Sequence, residues 1–228
     1  MKLALETISS CNRMCRTCLR NSYPDRDKVA DWFDEPKYLP MEIIMEAFKQ
    51  FSAMIGDKVC LSHYNEPLMD ERIGKIARLA TAFSFSSIYL NTNGDFLTKE
   101  VAASLDGVLS QIKISTRKDE FKSLFHKTEV VFTSDEHIAT HFSPKFDVVK
   151  MAQENKDKVC AEPQKRFIIN HKSQYLMCCE DIVGEFHLGT FPETSLEIHS
   201  MDKFSMQIEL DKPRGRHKYP YCQSCPRP

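Results

Sequence analysis

Leu3-Ala4-Leu5-Glu6-Thr7-Ile8-Ser9-Ser10-Cys11-Asn12-Arg13-Met14-Cys15-Arg16-Thr17-Cys18 is the stretch on which the reading of the whole chain depends. Its first half reads as a β-strand. Two serines and a loop with three cysteines in the spacing C-x3-C-x2-C follow at once. Thiolate ligation is what iron–sulfur clusters require. Three thiolates so placed suit three irons of a [4Fe–4S] cube and leave the fourth iron to a ligand that is not cysteine. A structural zinc site needs a fourth nearby Cys or His, and none lies between Cys18 and Cys60.

The bulk numbers set limits around that motif. A chain of 228 residues fits one large or two small domains. Its 42% hydrophobic content is ample for a buried core, and 28% charged residues are ordinary. A formal net charge of −1 gives no broad electrostatic footprint for nucleic acid. The basic residues near the end, Arg214, Arg216, His217 and Lys218, read as a short solvated tail. No apolar run approaches a membrane span and the N-terminus lacks a signal-peptide core, so a cytoplasmic location is expected. Nine cysteines without a secretion signal argue for metal binding over a disulfide framework. They fall at 11, 15 and 18, then 60 alone, then 160, 178, 179, 222 and 225, which suggests two metal sites.

Outward from the motif, residues 20–40 have no clean period and read as a long loop. Its exit from the cysteine side makes a lid or a solvated excursion equally natural. Met41 to Met54 is apolar at 41, 44, 45, 48, 51 and 54, a helical period. Val59–His63, Ser87–Asn91, Gln111–Ser115 and Glu129–Thr133 read as strands, with a helix over Asp70–Phe83 and another capped by Thr98. Strands alternating with helical stretches imply parallel βα units. Five such strands precede Cys160, too few for a closed eight-stranded barrel, so the class is α/β with a partial, open parallel barrel of about five to six strands.

The cysteine motif and its setting resemble the radical S-adenosylmethionine (AdoMet) enzymes. In that family the amino and carboxylate groups of AdoMet fill the vacant iron, and an electron from the cluster yields a 5′-deoxyadenosyl radical. The resemblance assigns Cys11, Cys15 and Cys18 to the cluster. Ser62-His63-Tyr64-Asn65-Glu66-Pro67 resembles the family's Gly-Gly-Glu segment, which puts Tyr64, Asn65 and Glu66 at the methionyl amino group. Glu66 also reads as a helix N-terminal carboxylate. Asn91-Thr92-Asn93-Gly94 resembles the Thr-Asn-Gly segment, although Asn-Gly makes a turn by itself. Ser115 and Arg117 match positions that contact the ribose or carboxylate. Thr17 stands where the family carries an aromatic beside the adenine, and no Gly-x-Ile-x-Gly-like stretch follows the fifth strand.

The C-terminal third has one Cys before a hairpin (Cys160; Arg166–Asn170 then Tyr175–Cys178) and a helix opened by Thr194-Ser195-Leu196-Glu197. Ile198, Met201, Phe204 and Ile208 lie along that helix, and Cys222-Gln223-Ser224-Cys225 ends the series. This order resembles the SPASM/twitch extension of the family, a small β-hairpin-plus-helix iron–sulfur domain. The resemblance implies an auxiliary [4Fe–4S] cluster on Cys160, Cys178, Cys222 and Cys225, with Cys179 as the alternative to Cys178 and a zinc knuckle as the competing reading. Cys60 reads as a small core residue. The expected division is 1–150 for the barrel and 151–228 for the auxiliary domain.

Among the family, the compact barrel and the Cys160–Cys178 spacing most resemble the 2-deoxy-scyllo-inosamine dehydrogenase type. That implies an oxidoreductase acting on a small-molecule alcohol, fed by an electron donor such as flavodoxin or ferredoxin. Modification of a peptide side chain is the alternative. Glu6 and His63, at the ends of the first two strands, are the candidate proton-moving residues. Either also reads as a satisfied interior polar group.

Overall fold

The computed structural model describes residues 2–54, 58–133 and 147–227. Strands β1 (Lys2–Leu5), β2 (Lys58–Cys60), β3 (Ser87–Thr92), β4 (Gln111–Ile114), β5 (Glu129–Phe132), β6 (Arg166–Ile169) and β7 (Tyr175–Leu176) form one sheet. Its order is β5-β4-β3-β2-β1-β6-β7. All neighbours are parallel except the β6–β7 hairpin. The fold is therefore α/β with a mostly parallel seven-stranded sheet, as a partial barrel requires. The sixth parallel strand comes from the C-terminal third: β6 pairs with β1, Lys2 opposite Arg166 and Leu5 opposite Ile169. The two expected domains thus share a sheet.

Helices α1 (Met41–Met54), α2 (Ile73–Thr81) and α3 (Lys99–Leu105) cross between successive strands. Their apolar faces cover one side of the sheet, where Leu3, Leu5, Val59, Leu61, Ile88, Leu90, Ile112 and Ile114 are buried with Ile44, Phe48 and Phe51. The alternation of a strand sends the residues between these to the opposite, concave side. There Ala4, Cys60, Tyr89, Ile168 and Leu176 form a smaller cluster. Thr98 caps α3 by accepting from Val101 N. Within the 20–40 segment, Asp27–Trp32 is a 3-10 helix whose Val29 and Trp32 pack with Leu19, Tyr23 and Ile182. Among the described residues, no helix is long and apolar enough to cross a membrane.

Two further helices are α4 (Val148–Asn155) and α5 (Leu196–Leu210), the latter capped by Ser195. On α5 the apolar positions face outward: Met201 is 65% and Phe204 68% exposed, with Ile198 and Ile208 also exposed. Between Leu196 and Leu210, which are buried at its two ends, the inner face carries His199, Lys203 and Gln207. The reason lies in what that face meets. Lys203 Nζ donates to Arg166 O and lies 4.9 Å from the Phe167 ring. Gln207 Nε2 donates to Cys160 O at 2.8 Å. The His199 ring stacks on Tyr175 at 3.8 Å.

Neither ring nitrogen of His199 has a hydrogen-bond partner. Burial, with the Lys203 charge added, drives its pKa down to about 3. Between the ordinary histidine value and that one, the folded state binds fewer protons than the unfolded state. Stability is therefore lost as pH falls through that window. Replacing His199 with Phe keeps the stacked ring and removes the titration. At pH 5 the variant should keep about 2 kcal/mol that the parent loses relative to pH 8. Urea unfolding at the two pH values reads this, and parallel acid limbs would refute it.

Candidate active site and cysteine clusters

The strand ends on the cysteine side are laced to one another. The loop after β1 carries Cys11 and Cys18 half-buried and Cys15 exposed. Arg13 holds it to the β3 end through Asp95, with Nε 2.7 Å from Oδ2, and to the β4 end through Thr116 Oγ1 at 2.8 Å. Asn12 donates to Asp95 at 2.8 Å and accepts from Asn93 Nδ2 at 2.7 Å. Glu66 N donates to Ser10 O at 2.9 Å. The Arg13 guanidinium keeps the Asp95 carboxyl below its usual pKa. Arg13, Asn12 and Asp95 were not singled out in the sequence, because their partners are more than eighty residues away.

Glu66 is buried, and both its oxygens are taken by protein donors. Oε1 accepts from Leu68 N at 3.0 Å and from Thr92 Oγ1 at 2.6 Å, and Oε2 from Asn93 N at 2.7 Å. One of these bonds caps the short helical turn Pro67–Met69. Burial raises its pKa, partly offset by these donors. The carboxylate therefore ties the loop after β2 to the Thr92-Asn93-Gly94 turn. Gly94 sits at φ +85°, where a Cβ would also press on Phe121.

The other expected contacts are distributed along the same edge. Asn65 Oδ1 accepts from His63 N at 2.8 Å, whereas its buried Nδ2 has no partner. Tyr64 is half-buried, edge-on to His63 at 4.7 Å. Asn91 donates to Ser62 Oγ at 3.0 Å. Ser115 is exposed just beyond β4, its N donating to Thr92 O. Thr17 is half-buried within the cysteine loop. Arg117 is exposed and lies over Phe132 at 5.6 Å.

Glu6 is fully buried and accepts from Trp32 Nε1 at 3.3 Å. Its other oxygen lies 2.7 Å from His171 Nδ1, beyond β6. Burial would raise the Glu6 pKa, but the hydrogen bond and charge of His171 bring it below the usual value. His171 Nε2 stands 3.7 Å from Asp31, which also pairs with Lys37 and Lys172. The 20–40 segment is thus pinned by Trp32 and Asp31 over the ends of β1 and β6. His63 also faces Glu6. Burial drives its pKa to about 4, so it is neutral at pH 7, and its buried Nε2 has no hydrogen-bond partner. His171 was missed in the sequence: it is a loop residue that only the β1–β6 pairing brings to Glu6.

The donor chemistry fits the groups that the motifs imply. Beside Cys18 lies the buried Arg20, with Nε and Nη1 unpaired. A buried guanidinium short of acceptors suits an anionic, thiolate-held group. At the loops after β1 and β2, Thr7 Oγ1, Ser10 Oγ, Asn65 Nδ2 and His63 Nε2 are buried without partners. Such an edge suits a polar ligand. In the C-terminal third, Cys160, Cys178, Cys222 and Cys225 line one cavity with Arg216 and Arg227. Arg216 is buried with Nε unpaired. Burial pushes the Cys222 and Cys225 thiols up to about 12, and metal coordination is what deprotonates such thiols. Cys179 instead turns to Glu162, 3.6 Å from Oε2. Among the described residues, no three His, Cys, Asp or Glu side chains meet at one point as ligands of a single ion.

A parallel sheet whose first strand leads into C-x3-C-x2-C, with the following strand ends tied around that loop, is the architecture of a radical AdoMet protein. The chain belongs to the Radical SAM superfamily, whose model matches residues 5–128. By sequence it is similar to GTP 3',8-cyclase of Pasteurella multocida (strain Pm70), 27% identical over 126 residues. That match takes in 55% of this chain and 35% of the cyclase, so the chain spans about a third of its length. By structure it is similar to BtrN in complex with AdoMet and 2-DOIA: TM-score 0.77, 21% identity, 98% of this chain and 92% of that one. The open conformation of BtrN gives TM-score 0.72 at 19% identity, covering 98% and 91%. At these identities the likeness concerns the fold.

Proposed function

We propose that the chain is a radical AdoMet oxidoreductase that oxidises a small-molecule alcohol. In this reading a [4Fe–4S] cluster sits on Cys11, Cys15 and Cys18, and an auxiliary [4Fe–4S] cluster on Cys160, Cys178, Cys222 and Cys225 of a twitch-type segment. The observation that carries the reading is the gathering of those four thiols, up to 65 residues apart in sequence, around one cavity beside the buried Arg216. The solved BtrN complex holds AdoMet and 2-DOIA on the same fold over nearly the whole chain, which supports a small-molecule substrate. Bound, the clusters would supply the electron that cleaves AdoMet and take up the one left on the substrate.

The electron count then balances. An alcohol loses one hydrogen atom, one proton and one electron as its carbonyl forms, and bound AdoMet and the auxiliary cluster would take up the atom and the electron. His63, neutral with a free Nε2, is the residue to accept the hydroxyl's hydrogen bond and pass its proton onward, since a ring held near pKa 4 does not keep a proton at pH 7. Glu6 serves as a positioning residue, since both its oxygens are held by Trp32 and His171. The 20–40 segment, pinned through Trp32 and Asp31, excludes water.

Iron and acid-labile sulfide per chain after anaerobic reconstitution, with dithionite-driven AdoMet cleavage on the same sample, test this reading. About eight irons and 5′-deoxyadenosine are expected. About four irons with cleavage intact would remove the auxiliary cluster and with it the electron acceptor. Absence of cleavage would remove the enzyme.

A further inference from the structure

The concave face of the sheet carries a group of charges that neither the cysteine loop nor the proton-moving residues use. Lys2 on β1, Tyr89 on β3, Lys113 on β4 and Arg166 on β6 alternate with residues buried against the helices, so all four point to this side. Register places Lys2 directly beside Arg166. Lys2 Nζ lies 5.5 Å and Lys113 Nζ 5.0 Å from the centre of the Tyr89 ring. Between them the face is lined by the small side chains of Ala4 and Cys60, buried with Ile168 and Leu176.

This arrangement is electrostatically unfinished. Among the described residues, neither Lys2 nor Lys113 has a carboxylate within ion-pair distance, and Arg166 reaches only Glu162, at 3.9 Å. That carboxylate already pairs with Lys165. Arg166 Nε is buried and unpaired. Burial and the charges of Arg166 and Lys113 hold the Lys2 ammonium below its usual pKa. Like charges brought together on a low-dielectric face repel unless an anion joins them.

We propose that Lys2, Lys113 and Arg166, around Tyr89, bind a phosphate group carried by the substrate. The proposal rests on the reading above that the chain oxidises a small-molecule alcohol. Three cations from three strands match a dianionic tetrahedral group, and the guanidinium fork suits its paired oxygens. The substrate class is therefore a phosphorylated alcohol, anchored on the concave face with its carbinol toward the cysteine loop.

The test uses the anaerobically reconstituted full chain with inorganic phosphate as probe. The unfolding midpoint is followed against phosphate concentration, with potassium chloride or acetate at matched ionic strength as controls. Parent, Lys113→Met and the exposed α2 variant Lys75→Met are compared. The expected result is a saturable rise for parent and Lys75→Met with phosphate alone, and half-saturation about tenfold weaker in Lys113→Met. Equal shifts with chloride, or equal shifts in parent and Lys113→Met, would overturn the proposal. An acetate shift matching that of phosphate would overturn its phosphate specificity. The three cations could instead balance the charge of a C-terminal cluster. Lys113→Met would then move the reduction potential of that cluster and leave phosphate without effect, which also overturns the proposal. AdoMet cleavage on the same samples keeps the two readings apart: loss of cleavage with phosphate binding intact sinks the radical reaction and spares the anion site.

Discussion

The triple variant Cys11→Ala/Cys15→Ala/Cys18→Ala should form no 5′-deoxyadenosine above background while keeping its fold and about four irons per chain. The loop it alters lies on the surface side of the strand ends, with Cys15 exposed. Its position is held by Arg13–Asp95 and Asn12–Asn93, while the Cys11 thiol accepts only long contacts, from Arg13 N at 3.5 Å and Asn93 Nδ2 at 4.0 Å. Removal of the sulfurs should thus cost little stability, because no large apolar contact is lost. Anaerobic iron assay, circular dichroism and chromatography of the AdoMet products check the three parts separately. Loss of all iron would mean that the two cysteine sets are not independent sites. Residual 5′-deoxyadenosine well above background would refute the assignment of the loop.

The second large effect is expected at Glu66. Glu66→Ala removes the acceptor for Leu68 N, Thr92 Oγ1 and Asn93 N together, inside a buried turn. Stranded donors of this kind cost about 1–3 kcal/mol each and do not add fully, so the whole change should cost about 3–5 kcal/mol. Glu66→Gln keeps the shape and one acceptor oxygen. Its amide group strands the donor at the other oxygen, an effect partly offset by loss of the buried charge whose desolvation raises the pKa, so its cost should be about 1–2 kcal/mol. AdoMet affinity, measured by equilibrium dialysis, divides the two roles assigned to this residue. If the carboxylate serves the loops, Glu66→Gln binds AdoMet within about tenfold of the parent. A loss of about a hundredfold at unchanged stability would place the carboxylate on the methionyl amino group. A cost under about 1 kcal/mol for the alanine variant would show that the turn is held by something else.

Much of the scaffold was legible because its signals are local. The strand cores, the helix at Met41–Met54 and the cap at Thr98 follow from period and capping chemistry within a few residues, whereas the capping box at Thr194–Glu197 marks the start of α5 but its cap is Ser195. The C-x3-C-x2-C loop is read the same way. α5 was legible as a helix but not in orientation. Its apolar positions suggest a buried stripe, yet the helix turns His199, Lys203 and Gln207 inward, because the surface it meets presents backbone carbonyls and aromatic rings. Periodicity reports a face without saying what the face will touch.

The same boundary runs through the candidate site. Sequence by itself determined the strand–loop–cysteine unit, the βα order and the presence of two cysteine groups, since each depends on residues close along the chain. Only the tertiary structure decided that β6 returns to pair with β1. That pairing sets His171 on Glu6 and Arg166 beside Lys2, joining elements about 165 residues apart. It also decided that Glu66 spends its oxygens on the neighbouring turn, and that Cys178 rather than Cys179 faces the cavity with Cys160, Cys222 and Cys225. Such outcomes depend on which strands become neighbours and which carbonyls and amides are left in need of partners. Those are properties of the assembled sheet rather than of any stretch within it.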